Sequence, residues 1–506
     1  MIRLGSGMMT GKRLRSIGAA IVLAASLPWL QSCTTNPATG GSDFTPFMSP
    51  ADEVRVGAEE HRKILAQFGG PYRDAKTQAY VNDLGQRLAA QSELPDLKWT
   101  FTVLDSDIIN AFALPGGYVY ISRGLLALAD TEAQLAGVVG HEIGHVTARH
   151  AANRYSAAVG TAVGLTGAAI LADIFIGGGS GQIIQQAGGA AAQGYLASYG
   201  RSQELQSDAL GVRYLARTGY DTQAMADFLA KMEQESVLLA KLQNEAPRGF
   251  SYLDTHPPTD ERVTKASALA RQTPGSGASA GGTPRDFFQK IDGLVYGDSA
   301  EQGFRRGRQF LHPGMRLFFE VPPDFHMLNF PDRLVAKGPD GAMIIVDRTA
   351  QRCTMPPDEY LATRWAPKLN LQGLQRGTAN GLTVGTGYTQ VRSQRGNAGL
   401  RLGAVAWPDG HMIRVQFIAP IAQARKHDPG FLAMLGSFRQ LSASEAAGLK
   451  PWRIRPYQVR QGDTVAGLAA KLPFTKLAED RLRVLNGLGP ADTLAPGAWI
   501  KMVSAD

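Results

Sequence analysis

The period of apolar positions along this chain changes repeatedly, and each change marks an element. An apolar run over residues 17–30 follows Lys12, Arg13 and Arg15, and a polar stretch separates it from apolar residues at helical spacing over 53–65 and 80–88. Alternation over 98–104 and 118–122 predicts two strands, with Asn-Ala-Phe-Ala-Leu-Pro-Gly-Gly at 110–117 between them. Helical spacing then returns over 131–150, with Thr131 or Asp130 as N-cap and Glu132 in the first turn. It returns again over 202–217 and 222–236. Between Arg154 and Arg201 the one charged residue is Asp173, and Ala and Gly dominate. That stretch admits a membrane span over 156–172, a core helix, or a mobile flap over a catalytic groove. The flap is favoured, because Gly-rich apolar sequence can both pack and move. Residues 273–285 read as a flexible linker. Beyond it, strands over 316–321, 342–346 and 412–418, with helical spacing near 356–365 and 430–438, predict a small α+β domain over 286–445.

At 506 residues and 44% hydrophobic, the chain is long enough for two to four domains. The formal charge of +8 is less basic than it looks, since Arg3, Lys12, Arg13 and Arg15 contribute four charges before residue 33. No clustered basic patch follows, so nucleic acid is excluded as a partner. The first 33 residues have the form of an export signal. Leu30-Gln-Ser-Cys33 resembles the lipobox of bacterial lipoproteins, which implies lipid on Cys33, a signal peptide over 1–33 and a tether over 34–50. By the same resemblance, Thr34 rather than Asp after the cysteine implies a periplasmic protein anchored to the outer membrane. The second cysteine, Cys353, would then have no disulfide partner and is expected to be an inert buried thiol. Residues 446–506 contain Gln-Gly-Asp-Thr at 461–464, Leu-Asn-Gly at 485–487 and Pro-Gly at 496–497. They resemble the LysM module, which implies a βααβ unit that binds peptidoglycan.

The chemistry concentrates in His141-Glu-Ile-Gly-His145. Residues four apart on a helix differ by about 40° in direction, so both imidazoles project from one face and can chelate one metal, with the Glu142 carboxylate beside them. A zinc hydrolase needs a third protein ligand. His150, about 140° round a continuous helix from His145, is rejected on geometry. Ala148 and Ala151 stand where the extended metzincin motif requires Gly and His. Glu204 is the better candidate, because Glu204, Asp208 and Gly211 share one helical face. They can supply a ligand, a carboxylate that orients a ligand histidine, and a glycine for close helix packing.

On residues 110–117, His141 to His145, Glu204 to Gly211, Thr255-His-Pro257 and Arg262, the chain resembles the membrane-associated gluzincins of metallopeptidase family forty-eight over about residues 45–272. Ser207 stands where the family pattern has Ala, a small departure that leaves the ligand assignment intact. The resemblance implies one Zn²⁺ per chain on His141, His145 and Glu204, with Glu142 as general base. It makes His256 a catalytic residue that steadies the oxyanion or closes the fourth zinc position as an off-switch. It puts Arg262 with Asp208 behind the ligands, with oxyanion contact as a weaker alternative for Arg262. Asn110, Ala111 and Phe112 are expected to bind substrate as an edge strand. The fold class expected is multidomain: a mainly α (α+β) gluzincin peptidase domain over 51–272, a small α+β domain, and a small LysM-like βααβ module. The function expected is a zinc endopeptidase acting on misfolded or stalled envelope proteins. A peptidoglycan endopeptidase and a chaperone or scaffold are the competing readings.

Overall fold

A computed structural model describes residues 33–164, 199–243, 256, 259–273, 275, 280–393 and 396–505. The export segment and the Gly-rich stretch read as a span, core helix or flap lie outside the described residues. Among the described residues, no helix is long and apolar enough to cross a membrane.

The centre of the peptidase region is the helix Glu132–Thr147, here the motif helix, with Thr131 as its N-cap accepting a hydrogen bond from the Gln134 amide. Nearly all of its residues are buried, because helices lie on several sides of it: Ala75–Ala89, Arg201–Thr218 and Ala224–Gln243. Close approach to Arg201–Thr218 depends on glycine. A Cβ on Gly211 would stand 3.3 Å from the Gly137 carbonyl oxygen and 3.3 Å from the His141 nitrogen. A three-stranded sheet completes the scaffold. Thr100–Leu104 runs parallel to Tyr118–Ser122, which pairs antiparallel with Ala111–Leu114 at the sheet edge.

Two local expectations need correction. The helix predicted to run to His150 ends at Thr147, and a second helix, His150–Gly164, starts after Arg149. Arg149 has φ 54°, a left-handed conformation that breaks the hydrogen-bond ladder and costs a non-glycine residue energy. The 34–50 stretch is not a loose tether either. Cys33–Thr35 and Ser42–Phe44 form an antiparallel hairpin, and Pro50–Gln67 is already helical behind a Ser49/Asp52 capping box.

The apolar core of the peptidase region continues into the C-terminal segment. Leu128, Phe228 and Leu229 belong to the same buried cluster as Ile454, Leu468, Leu482 and Ile500. That segment runs strand, helix, helix, strand: Trp452–Gln458, Val465–Ala469, Ala478–Leu485 and Trp499–Ser504, with the two strands paired antiparallel. Pro284–Lys290 supplies Phe287 and Phe288 to this core, and Val295–Tyr296 pairs with Trp452–Gln458.

The middle of the chain has its own core, around Phe319, Val346, Phe417 and Phe431. Its seven-stranded antiparallel sheet runs, in spatial order, His326–Asn329, Arg333–Lys337, Met343–Arg348, Met412–Pro420, Gly396–Ala406, Leu382–Ser393 and Gln372–Ala379. The helix Ile421–Ser437 packs against it. Cys353, expected to be buried, is partly exposed. Arg305 joins this part to the peptidase region: it is ion-paired with Asp298 at 2.9 Å and with Asp107, which lies in the loop leading to the edge strand.

Candidate metal centre

Burial brings His141, His145, Glu204 and His256 together, with one donor atom of each within 4.8 Å of all the others. All four are 2% exposed or less, and Glu142 beside them is 0% exposed. The motif helix supplies the first two histidines one turn apart, and Arg201–Thr218 supplies Glu204 from the facing helix. His141 Nε2 and His145 Nε2 are 2.9 Å apart. Glu204 Oε2 lies 3.5 Å from His141 Nε2, and Glu204 Oε1 lies 3.4 Å from His145 Nε2. His256 Nδ1 stands 2.8 Å from Glu204 Oε1 and 3.3 Å from His141 Nε2.

The tautomers follow from the surrounding partners. Asp208 Oδ1 is 2.9 Å from His141 Nδ1, so Nδ1 carries the proton and Nε2 keeps its lone pair. For His145 the chain of bonds is longer. Gln206 Oε1 accepts from His150 Nε2 at 2.9 Å, leaving His150 Nδ1 to accept from His145 Nδ1 at 2.9 Å. His145 Nε2 is therefore also a bare lone pair. Two lone pairs facing each other repel unless a cation lies between them, and tetrahedral zinc ligands sit about 3.3 Å from one another. The donor set thus fits one zinc ion. His150 is not in the donor cluster, although the continuous-helix geometry used to reject it does not hold. Its place is behind His145, which it aligns. Ser207 adds its hydroxyl 3.4 Å from His150 Nδ1.

Electrostatics separate the two glutamates. Burial pushes Glu142 up, with His256 and His141 only partly offsetting it and Glu204 adding to the rise. Both Glu142 carboxylate oxygens are buried without a hydrogen-bond partner. Burial works against ionised Glu204 too, but His256, His145 and His141 outweigh it and hold the carboxyl well below the usual range. Burial pushes His145 down, which keeps it a neutral donor. It also opposes the charged form of His256, but Glu204 and Glu142 overcome it and the net direction is upward.

Arg262, 2% exposed, donates to Asp208 through Nε at 2.8 Å and Nη2 at 2.7 Å, and pairs with Glu204 at 2.8 Å. Its Nη1 also donates to the His256 carbonyl at 3.2 Å. The guanidinium therefore braces three groups of the centre. That corrects the expectation of an oxyanion contact, because its donors are turned to these fixed acceptors. In the 110–117 run, Phe112 packs between Phe68 and Tyr120, at ring separations of 5.3 and 4.8 Å, and so forms core rather than a substrate surface. Ala111 is fully buried. Asn110 is 1% exposed, with its side-chain amide unpartnered. The backbone beyond it does approach the centre, since Ala113, Leu114 and Pro115 line a cleft with His145 and Tyr199.

Sequence reasoning missed Tyr199. Its ring stacks on His145 at 3.7 Å with Arg154 over it at 4.2 Å, and burial pushes its hydroxyl up to about 12. The cleft beneath has about 10 Å³ free, room for at most one water. Nothing in the local sequence around Tyr199 signals this contact; it depends on a helix some fifty residues earlier. The larger cleft, about 800 Å³, lies around Glu132, Arg87 and Tyr220 and contains none of the donors.

Comparison with known proteins gives a family match over the residues that build this centre. Residues 75–270 match peptidase family M48. The chain is 35% identical over 266 residues to the beta-barrel assembly-enhancing protease of Escherichia coli strain K12, covering 50% of this chain and 51% of that protein. It is 35% identical over 239 residues to the protein of the same name from Yersinia pestis, covering 46% of each. Similarity to the mitochondrial metalloendopeptidase OMA1 of Schizosaccharomyces pombe is 27% over 217 residues, covering 42% of this chain and 59% of that protein. The chain spans about half the length of these bacterial relatives.

Proposed function

From the peptidase M48 domain that this chain carries, we propose that it is a zinc-dependent endopeptidase of the cell envelope, acting on polypeptides that fail or stall in outer-membrane assembly. The observation that carries the reading is Glu142: a fully buried carboxylate with no hydrogen bond to either oxygen and only the His256 ring nitrogen, at 3.6 Å, facing it, beside four converging metal donors. Leaving such a group unsatisfied is costly, and the arrangement makes sense where water and substrate complete it.

Zinc, when bound, supplies the Lewis acidity that activates water and polarises a peptide carbonyl. His141, His145 and Glu204 hold it, and Asp208 and Arg262 fix the orientation of His141 and Glu204. Glu142, with its raised proton affinity, takes the proton from the attacking water and delivers it to the leaving amine. His256 occupies the fourth donor position and keeps the centre closed. Its displacement, together with that of Tyr199, opens the cleft beside the Ala111–Leu114 edge, along which an extended substrate pairs through its backbone. Cys33 carries the lipid that retains the chain at the outer membrane, and the C-terminal βααβ segment is a LysM-like unit that contacts peptidoglycan.

The test is metal analysis of the purified protein with a casein assay, with and without chelator, on wild type and Glu142→Gln. One zinc per chain and chelator-sensitive cleavage lost in Glu142→Gln are expected. Intact casein cleavage by Glu142→Gln overturns the reading. Loss of activity on sacculi alone turns the assignment to a peptidoglycan endopeptidase, and function unchanged by Glu142→Gln turns it to a chaperone.

A further inference from the structure

The hairpin that replaces the expected tether is fastened to the end of the motif helix. Asn36 Nδ2 donates to the Ala148 carbonyl at 3.0 Å and to Asp43 at 2.8 Å. From the other side, Asn153 donates to Asp43 at 3.2 Å. Arg149, 4% exposed and held in its left-handed conformation, donates to the Thr34 hydroxyl, to the Met48 carbonyl at 3.0 Å and to Glu53 at 3.1 Å. These bonds leave no slack between Cys33 and the metal centre. Cys33 to Asn36 spans at most about 10 Å of extended chain. Ala148 lies about 5 Å along the axis from His145. Allowing for the Asn36 side chain, Cys33 stands within about 20 Å of the zinc donors.

The same stretch exposes apolar surface. Phe44 is 55% exposed, Phe47 40% and Val54 47%, three of the nine large hydrophobic side chains exposed among the described residues. Phe44 is directly opposite Cys33 in the hairpin register. Arg55, next to Val54 in sequence, is paired with Asp52 and Glu59 at 3.2 Å each, so its charge is already answered within the helix. Aromatic side chains on a polar hairpin suit the headgroup region of a bilayer.

We propose that the hairpin and the start of the Pro50–Gln67 helix form a membrane-docking face, with Phe44, Phe47 and Val54 in the lipid interface, which holds the zinc centre at a fixed short height above the bilayer. The occupant is a phospholipid surface, bound by apolar insertion. The proposal rests on the reading of Cys33 as lipid-bearing. It narrows the substrate class to polypeptide segments that emerge at the membrane surface, because the centre cannot swing away from it.

The experiment uses the full chain purified from membranes. Mass analysis of the mature N-terminus tests the lipid on Cys33. Phe44→Trp and Phe47→Trp variants, with Val237→Trp as a control remote in sequence, are then placed in vesicles containing brominated phospholipid. Loss of roughly half of the added emission is expected at positions 44 and 47 and none at 237, with equal loss in neutral and anionic vesicles. Phe44→Ser with Phe47→Ser should keep casein cleavage while slowing cleavage of a peptide tethered close to the same vesicle. Lipid on Cys33 without quenching overturns the docking face and leaves the anchor standing. Quenching without lipid on Cys33 keeps the face and removes the anchor. Unquenched emission from a chain that sediments as a dimer through this patch assigns it to a second copy and overturns the proposal.

Discussion

Two clusters of buried charge sit at opposite ends of the motif helix, and they are built on different rules. At the N-terminal end, Asp130 accepts from Lys231 at 2.5 Å and pairs with Lys501 at 3.0 Å. Lys501 also donates to the carbonyls of Ala127, Leu128 and Ala129, at 2.9, 3.0 and 2.6 Å, and Lys231 donates to the Leu485 carbonyl at 2.9 Å. The hydrogen bonds are answered from within, although two lysines share one carboxylate and burial pushes Lys501 down to about 7, and the result fastens the C-terminal segment to the peptidase core. At the C-terminal end, ring nitrogens converge lone pair to lone pair and Glu142 accepts no hydrogen bond. Burial is common to both. What marks the second as chemistry is that it is incomplete, in a way that one cation and one water complete.

The largest effect that sharpens this contrast belongs to Glu142→Gln. The amide keeps the volume and removes the base, so cleavage should fall by about 10²- to 10⁴-fold while zinc content and thermal unfolding stay near wild type. A fall in zinc content equal to the fall in rate would make Glu142 a ligand and erase the distinction. The matching change at the other end, Asp130→Asn, leaves two ammonium groups facing each other. It should cost about 3–5 kcal/mol in denaturant unfolding with little change in rate per folded molecule. Replacing Asp130, Lys231 and Lys501 together by Met should cost less than Asp130→Asn alone, because a satisfied structural cluster is replaceable as a set. If the triple change costs more, the N-terminal cluster is doing something beyond fastening.

A smaller effect tests the helix contact between the clusters. In Gly211→Ala, the new methyl meets the Gly137 oxygen and the His141 nitrogen at 3.3 Å each. These are backbone atoms that cannot rotate away. Overpacking costs about 1–3 kcal/mol, partly offset by about 1 kcal/mol of better helix propensity. Net stability should therefore move little, while zinc dissociates more readily because Glu204 shifts relative to His141. Unchanged zinc affinity would mean the helices adjust along their whole length.

The metal centre was legible in sequence because its ligands obey helical arithmetic. His141 and His145 are one turn apart, and Glu204, Asp208 and Gly211 share a face whatever the tertiary fold. The N-cap Thr131 and the strands around 110–117 were legible for the same local reason. The partners of those ligands were not. The relay from Gln206 through His150 to His145 exists only because Arg149 breaks the helix, and no residue type announces a left-handed arginine. The contacts of Lys501 with Ala127 and of Arg305 with Asp107 join residues hundreds of positions apart. Such pairings depend on topology that periodicity does not encode. The hairpin at 33–44 was hidden by its polar composition, which reads as a tether until Arg149 and Asn36 are seen to bind it.

The smallest effect lies where the hairpin meets the metal cleft, at Glu53. Burial raises its carboxyl from 4.5 to about 7, with Arg149 pulling it part of the way back. The folded chain therefore keeps a proton that the unfolded chain releases. The stability this group contributes is full below about pH 4.5 and is lost as pH rises through about 7. Glu53→Gln keeps the size and an acceptor for Arg149 but no longer titrates. Melting temperature measured from pH 4.5 to 8 should decline less steeply in the variant than in wild type, with zinc present throughout. Asp130 and Glu204 are held below their ordinary range and shift the other way, whereas burial also raises Glu142 and, to about 7, Glu235. The signature of Glu53 is therefore the difference in slope between Glu53→Gln and wild type rather than the wild-type slope itself. A wild-type slope that persists in Glu53→Gln would place the titrating group elsewhere. It would also mean that Arg149 holds Glu53 fully ionised, making this third site another closed ion pair like the one at Asp130.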